Sequence, residues 1–228
     1  MSEPAFNPPK QRRSRDTMER FLRGARELLE ERGLDGLTMD ELARRSDVRM
    51  GSIYVRFRGK RDIVHAVQAQ MLTEIEADLP RRFGDPSERD VRLSERVGAA
   101  VHAVADILRD HAALLRVLII ASDTDDEMAA AGSRSTAKTS EHFAAAVLAG
   151  RDEIARADPE TAVDVCYRVV YDTLARRIMR GPTFETPRAI EWDRLVEELA
   201  DMCAAYLLSR EPSDASLPHR ARDTSSEF

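Results

Sequence analysis

Residues 38–60 hold a concentrated group of side chains that can contact a polyanion. Arginine and lysine donate charge-assisted hydrogen bonds to phosphate, and hydroxyl groups donate to phosphate or to base edges. The group consists of Thr38, Arg49, Ser52, Tyr54, Arg56 and Lys60. The chain shows no Ser-His-Asp set, no Gly-rich phosphate loop and no Cys-x-x-Cys motif. This side-chain chemistry therefore favours nucleic-acid binding over catalysis.

Two short helices joined by a tight turn are predicted to carry this group. The first runs over residues 39–46, because Thr38 occupies an N-cap position and Glu41 follows at capping-box spacing. Asp47 falls at the turn, where aspartate tolerates a left-handed backbone. The second helix runs from about residue 50 to 57 and turns a polar, basic face outward. This pattern is typical of a helix-turn-helix, whose second helix enters the major groove, but also of a helical hairpin with a solvated basic face.

The residues themselves resemble the TetR family of bacterial transcriptional regulators over roughly positions 15–70. The similarity is carried by Leu37-Thr38-Met39-Asp40-Glu41-Leu42-Ala43, Val48, Gly51-Ser52-Ile53-Tyr54-Val55-Arg56-Phe57 and Lys60. The resemblance implies an all-α fold with an N-terminal three-helix helix-turn-helix DNA-binding domain and a larger helical ligand-binding and dimerisation domain. It also implies a homodimer that binds palindromic double-stranded operator DNA, represses transcription and is released by a small-molecule effector.

The residues expected to touch DNA follow from this resemblance and, for Arg13, from the basic arm before the first helix. They are Arg13, Thr38, Arg49, Met50, Gly51, Ser52, Tyr54, Arg56 and Lys60. Thr38, Tyr54 and Lys60 would hold the DNA backbone, whereas the second helix would approach base edges and phosphates. Arg49 and Arg56 stand where the family usually has a Ser or Thr and a His or Tyr, so base preference is expected to differ here.

Composition and charge agree with this interpretation. Residues 1–60 hold 14 basic and 10 acidic side chains, a net charge of +4, so the remainder carries −10 of the total of −6. A basic N-terminal segment followed by an acidic remainder is typical of a protein that binds DNA through one end only. No run of about 18 apolar residues and no apolar signal core occurs, which favours a cytoplasmic protein. Cys166 and Cys203 are then expected to be buried thiols.

Turn residues and apolar stripes divide the chain into four parts. These are an unstructured basic arm (1–12), the DNA-binding domain (13–59), the helical body (60–209) and an unstructured tail (210–228). Besides the two short helices, the patterns predict helices over about 14–32, 60–79, 87–111, 114–120, 127–149, 159–180 and 187–209. The resemblance assigns dimerisation to the last two of these.

A cavity in the body would hold the effector. Helix positions select Met71, Ile75, His102, Leu118, Phe143, Tyr167 and Tyr171 as its lining. Such a lining, largely apolar with a few His and Tyr groups, would suit an amphipathic or aromatic molecule. The alternative is that these residues are ordinary core.

Two other function classes compete with a regulator. One is a helical enzyme that uses a metal on the face formed by His102, Asp106 and Asp110, next to His111. Carboxylates and histidines at helical spacing more often form a solvated face, so neither a metal nor another cofactor is predicted. The other is an adaptor that keeps the fold without binding DNA.

Overall fold

The computed structural model describes residues 8–48, 57–87 and 91–210, with side chains from Asp16 onward. Within these ranges the chain is helical and contains no strand, which confirms the all-α prediction. The described helices are α1 (Pro8–Gly36), α2 (Met39–Ser46), α3 (Lys60–Phe83), α4 (Leu93–Asp110), α5 (Ala112–Ser122), α6 (Asp126–Leu148), α7 (Pro159–Arg180) and α8 (Trp192–Leu208). A short 3-10 turn, Arg151–Glu153, follows α6. No helix in these ranges combines the length and hydrophobicity needed to cross a bilayer.

The first helix is an amphipathic brace for α2. Phe21, Ala25, Leu28 and Leu29 form its buried stripe at helical spacing. The helix begins at Pro8, so residues 8–12, expected to be an unstructured arm, are helical. Its regular part ends where the sequence predicted, because Gly33 adopts a positive φ of 67° that favours glycine.

The second helix matches the prediction, because its ends are set by local interactions. The Thr38 hydroxyl accepts a hydrogen bond from the Glu41 backbone N–H at 3.3 Å. Asp47 ends the helix with φ 51° and ψ 43°, the left-handed conformation expected of the turn residue. The reciprocal half of the capping box is absent from this helix, since the Glu41 carboxylate bonds Arg44 at 2.6 Å and Arg32 at 3.3 Å instead.

The third helix is longer than its sequence suggested. The predicted helix ended at about residue 79, just before Pro80, but α3 continues through the proline to Phe83. Proline removes one backbone donor, yet burial of Leu79 and packing of Phe83 keep the last turn in place. Gly84, with φ 69°, ends the helix.

The body is built around α4. This helix packs against α6, α7 and α8, and its buried side chains include Val97, Val101, Val104 and Leu108. Asp158 caps α7 by accepting from the Thr161 N–H at 3.0 Å, as its sequence predicts. Cys166 on α7 and Cys203 on α8 are both free and buried, which confirms their predicted state.

Besides that of α1, two helix starts differ clearly from prediction. The α4 helix begins at Leu93 rather than near residue 87, because the Ser87 N–H donates to Asp85 in a local turn at 2.8 Å. The α8 helix begins at Trp192 rather than 187. In the connection between α7 and α8, the Ile190 carbonyl accepts a hydrogen bond from Arg177 at 2.8 Å. Trp192 packs against the body core, and its indole Nε1 is buried without a hydrogen-bond partner in the structure.

The core forms two clusters, and Phe83 and Leu115 pack against both of them. One joins α4, α6, α7 and α8. The other joins α1, α2 and α3 with Ile107, Leu114, Leu118 and Met128, which lie on α4, α5 and α6. Through this second cluster, α3 packs against both the N-terminal helices and the body.

Candidate DNA interface and effector cavity

The described residues on either side of positions 49–56, where the recognition helix is predicted, are buried. Val48 and Phe57 are only 8% and 9% exposed, and the Phe57 ring stacks on Phe21 at a centroid distance of 5.3 Å. Residues 49–56, among them Arg49, Met50, Gly51, Ser52, Tyr54 and Arg56, lie outside the described residues, as does the side chain of Arg13. Their DNA contacts stay predictions.

The two remaining predicted DNA contacts are exposed where a phosphate could reach them. Thr38 is solvent-exposed, and its hydroxyl proton is not used in the capping bond, in which the oxygen accepts. Lys60 is exposed at the first residue of α3. Both positions remain compatible with backbone contacts.

A cavity of about 260 Å³ lies in the body beside α3. Its apolar wall comes from α3, α4 and α5, and includes Met71, Leu72, Ile75, Val104, Ile107, Leu108, Leu115, Leu118 and Ile119. Four of the predicted lining residues, Met71, Ile75, Leu118 and Tyr171, do line it.

The other three predicted lining residues lie elsewhere. His102 is exposed on α4, where its Nδ1 lies 2.8 Å from the Gly98 carbonyl oxygen. Phe143 is fully buried in the body core, and its ring lies 5.5 Å from the Tyr167 ring, centroid to centroid. Tyr167 donates a hydrogen bond to the Thr136 carbonyl at 2.9 Å, and burial raises the pKa of its phenol.

The cavity also has a polar wall, of which only Tyr171 was predicted. It is formed on α6 by Ser133, Ser135, Thr136 and Thr139, with Gln68, Ser122 and Tyr171 from other helices. The Thr136 and Tyr171 hydroxyl oxygens are 3.2 Å apart. The small polar residues at helical spacing in an alanine-rich segment were the available sequence signal.

The N-terminal turns of α3 are tied to the start of α6. Asp125 caps α6 and accepts hydrogen bonds from Arg61 Nε and His65 Nε2, both at 2.7 Å. The Arg61 and His65 hydrogen bonds hold the pKa of the Asp125 carboxyl well below its usual range. One turn further along α3, Gln68 donates to the Met128 carbonyl at 3.0 Å. We call this set of contacts the α3–α6 joint: Arg61, His65, Gln68, Asp125 and Met128.

Among the described residues, both groups of histidines and carboxylates already bond to other protein side chains. His65, Asp125 and Glu127 bring ligand atoms within 4.8 Å of one another, but the Arg61 guanidinium already bonds both oxygens of Asp125. Arg61 therefore supplies the positive charge that a cation would supply there.

The side chains of the predicted His102 face have separate partners. Asp106 bonds Arg109, Asp110 bonds Arg82, and His111 Nδ1 lies 3.3 Å from Arg26 Nη2. Because each group is engaged with a different neighbour, this face does not support the metalloenzyme interpretation.

Two family models match the chain. The model of bacterial regulatory proteins of the tetR family matches residues 21–67, and the model of the tetracyclin repressor-like C-terminal domain matches residues 92–207. The chain belongs to the TetR family. The first match covers α2 and the predicted recognition helix, and the second covers the body from α4 to α8.

Individual relatives agree with this assignment. The chain is 37% identical over 92 residues to the tetracycline repressor protein class A from transposon 1721 of Escherichia coli, a match over 36% of the chain and 43% of that relative. It is 30% identical over 71 residues to the uncharacterized HTH-type transcriptional regulator TtgW of Pseudomonas putida, over 31% of the chain and 53% of that relative. The chain thus spans about half the length of these curated relatives.

Solved structures of TetR-family proteins share the fold. A family member from Mesorhizobium loti superimposes with a TM-score of 0.66 at 20% identity, over 86% of this chain and 96% of its own. The regulator FadR of Bacillus subtilis, in complex with stearoyl-CoA, gives a TM-score of 0.58 at 15% identity, over 83% of this chain and 98% of its own. At these identities the similarity establishes the fold alone.

Proposed function

We propose that this TetR-family protein is a ligand-responsive transcriptional regulator, a repressor that binds a palindromic operator as a homodimer in the cytoplasm. The observation that carries the proposal is the position of α3. This single helix begins at Lys60, next to the predicted recognition helix, and lines the cavity with Met71, Leu72 and Ile75. A ligand that displaces α3 would therefore also displace the DNA-reading end.

The exposed apolar side chains of the last two helices support a dimer. Val165 and Val169 on α7 and Met202 on α8 remain 41%, 38% and 48% exposed in the single chain. Burying them against the same helices of a second copy would form an isologous four-helix interface. Two-fold symmetry of this dimer would place two recognition helices on two half-sites of a palindrome.

The α3–α6 joint provides a route from cavity to DNA. Met128 lines the cavity, while Arg61 and His65 lie within two turns of Lys60. A ligand seated between α3 and α6 would change the separation of these helices and strain the bonds to Asp125. Release of DNA requires that the ligand bind the altered arrangement more tightly, and operator DNA must then weaken ligand binding by the same factor.

Capture of genomic DNA by the purified full-length protein would test this function. Enrichment of one or a few palindromes is expected, with binding that weakens steeply as salt rises. A protein that neutralises 6–10 phosphates loses about 10³–10⁵ in affinity between 50 and 200 mM salt. Absence of both an enriched site and a salt-dependent affinity would instead favour a non-DNA-binding adaptor of the same fold.

A further inference from the structure

The described lining of the cavity holds no charged side chain that could balance a charge on a ligand. Among the described residues that line it, none is Asp, Glu, Lys, Arg or His. Charged residues next to lining positions pair outside it: Glu74 bonds Arg26 at 2.7 Å, and Glu76 bonds Lys138 at 2.5 Å. An ion entering this cavity would lose hydration without gaining a counter-charge.

Several polar side chains of the cavity already form hydrogen bonds within the protein. Thr139 donates to the Ser135 carbonyl at 3.1 Å, and Ser122 donates to the Ile119 carbonyl at 2.7 Å. Gln68 uses one N–H on the Met128 carbonyl. These three donor protons are therefore withheld from a carboxylate or phosphate, which needs several hydrogen bonds to replace its water.

The Thr136–Tyr171 pair is the best placed polar contact for a small ligand. The two hydroxyl oxygens lie 3.2 Å apart, so one hydroxyl donates its proton to the other. The proton of the accepting hydroxyl and the unused lone pairs remain for a ligand. Tyr167 fixes this part of α6 through its hydrogen bond to the Thr136 carbonyl. One hydroxyl or amide of a ligand can therefore be satisfied here, while its apolar part lies against Met71, Ile75 and Leu118.

We propose that the cavity selects an uncharged, mainly apolar ligand that places one hydrogen-bonding group against Thr136 and Tyr171. This inference rests on the proposed function in that the cavity is taken as the effector site. We expect the cavity to bind alcohols, phenols and neutral amides, and to exclude carboxylates, phosphates and ammonium ions.

Three probes of equal chain length, 1-octanol, octanoate and octylammonium, test the proposal by calorimetric titration into the full-length protein. At pH 7.5, octanol should bind at least ten times more tightly than either ion. Octanoate affinity should rise about tenfold for each pH unit lowered toward its pKa, because only the neutral acid enters. Equal or tighter binding of either ion, or binding of none of the three, would overturn the proposal.

Variants locate the site. Thr136→Val should weaken octanol binding several-fold, whereas Thr73→Val, an exposed threonine on α3, should leave it unchanged. Leu72→Arg places a cation on the partly exposed edge of the lining and should reverse the preference toward octanoate. Equal effects of Thr136→Val and Thr73→Val, in proteins with matching circular dichroism, would refute the assigned contact.

A separate DNA measurement distinguishes this inference from the proposed function. If octanol binds as expected but leaves operator affinity unchanged, ligand-controlled DNA release fails while the ligand class stands. If charged molecules release the protein from DNA through this cavity, the regulator remains and the ligand class is refuted.

Discussion

Replacing Val169 and Met202 by glutamate should break the proposed dimer. Fully burying an aliphatic side chain contributes about 1.5–3 kcal/mol. Val165, Val169 and Met202 are 38–48% exposed. Burying this exposed part in the dimer contributes about 0.6–1.4 kcal/mol for each side chain. Two-fold symmetry counts each side chain twice, which gives about 4–8 kcal/mol for the six of a dimer.

The double variant removes four of these six contributions and buries charge in their place. A loss of about 2–6 kcal/mol weakens dimerisation by at least about 30-fold, before any cost of desolvating the glutamates. Sedimentation equilibrium across a concentration series measures this shift. Ile120→Glu is the control, because Ile120 is 51% exposed but lies on α5. A double variant that stays dimeric at the wild-type concentration, or a control that dissociates equally, would contradict the assignment of the interface to α7 and α8.

Three further perturbations test other parts of the molecule. Lys60→Ala should weaken binding to all DNA sequences alike and reduce the slope of log affinity against log salt by about 1.8 per dimer, measured by fluorescence anisotropy; an unchanged slope would remove Lys60 from the phosphate contacts. Asp125→Asn should reduce the factor by which a cavity ligand weakens DNA binding, while Asp123→Asn, an exposed neighbour, should leave that factor unaltered; equal behaviour of the two would exclude the α3–α6 joint from the coupling. Burial and the nearby Arg26 lower the pKa of His111 from its ordinary value of 6.5. Because the folded state then binds this proton less readily than the unfolded chain does, the His111 contribution to stability is complete above pH 6.5 and is lost as pH falls through the lower folded-state pKa. Urea midpoints between pH 7.5 and 5.5 should therefore fall less steeply for His111→Gln than for wild type, and an unchanged slope would refute this assignment.

Local signals accounted for the helix ends that the sequence predicted well. Thr38, Asp47 and Asp158 act within three or four residues of their own positions, so their effect can be deduced without knowing the tertiary structure. Ends controlled by distant packing were predicted poorly. Thr186 and Pro187 form a sound helix start in isolation, yet the chain there is held by Arg177, and α8 begins only at Trp192.

The lining of the cavity was likewise predicted in part. Periodicity identifies Met71, Ile75 and Leu118 as inward-facing, and these do border the cavity. It does not reveal which inward side chains fill space and which leave it empty, and so it could not separate Phe143 in the packed core from Tyr171 on the cavity wall. His102 was also selected from its helix position, but it lies on the exposed side of α4.

Trp192 has an optical consequence, because it is the single tryptophan of the chain. Its indole is packed where α8 begins, against the core that α4 shares with α7 and α8, and its N–H is withdrawn from solvent. Emission from the native protein should therefore lie at short wavelength and shift to the red when this end of the body opens. Intrinsic fluorescence then reports on the start of α8, in the proposed dimerisation region, without any attached label.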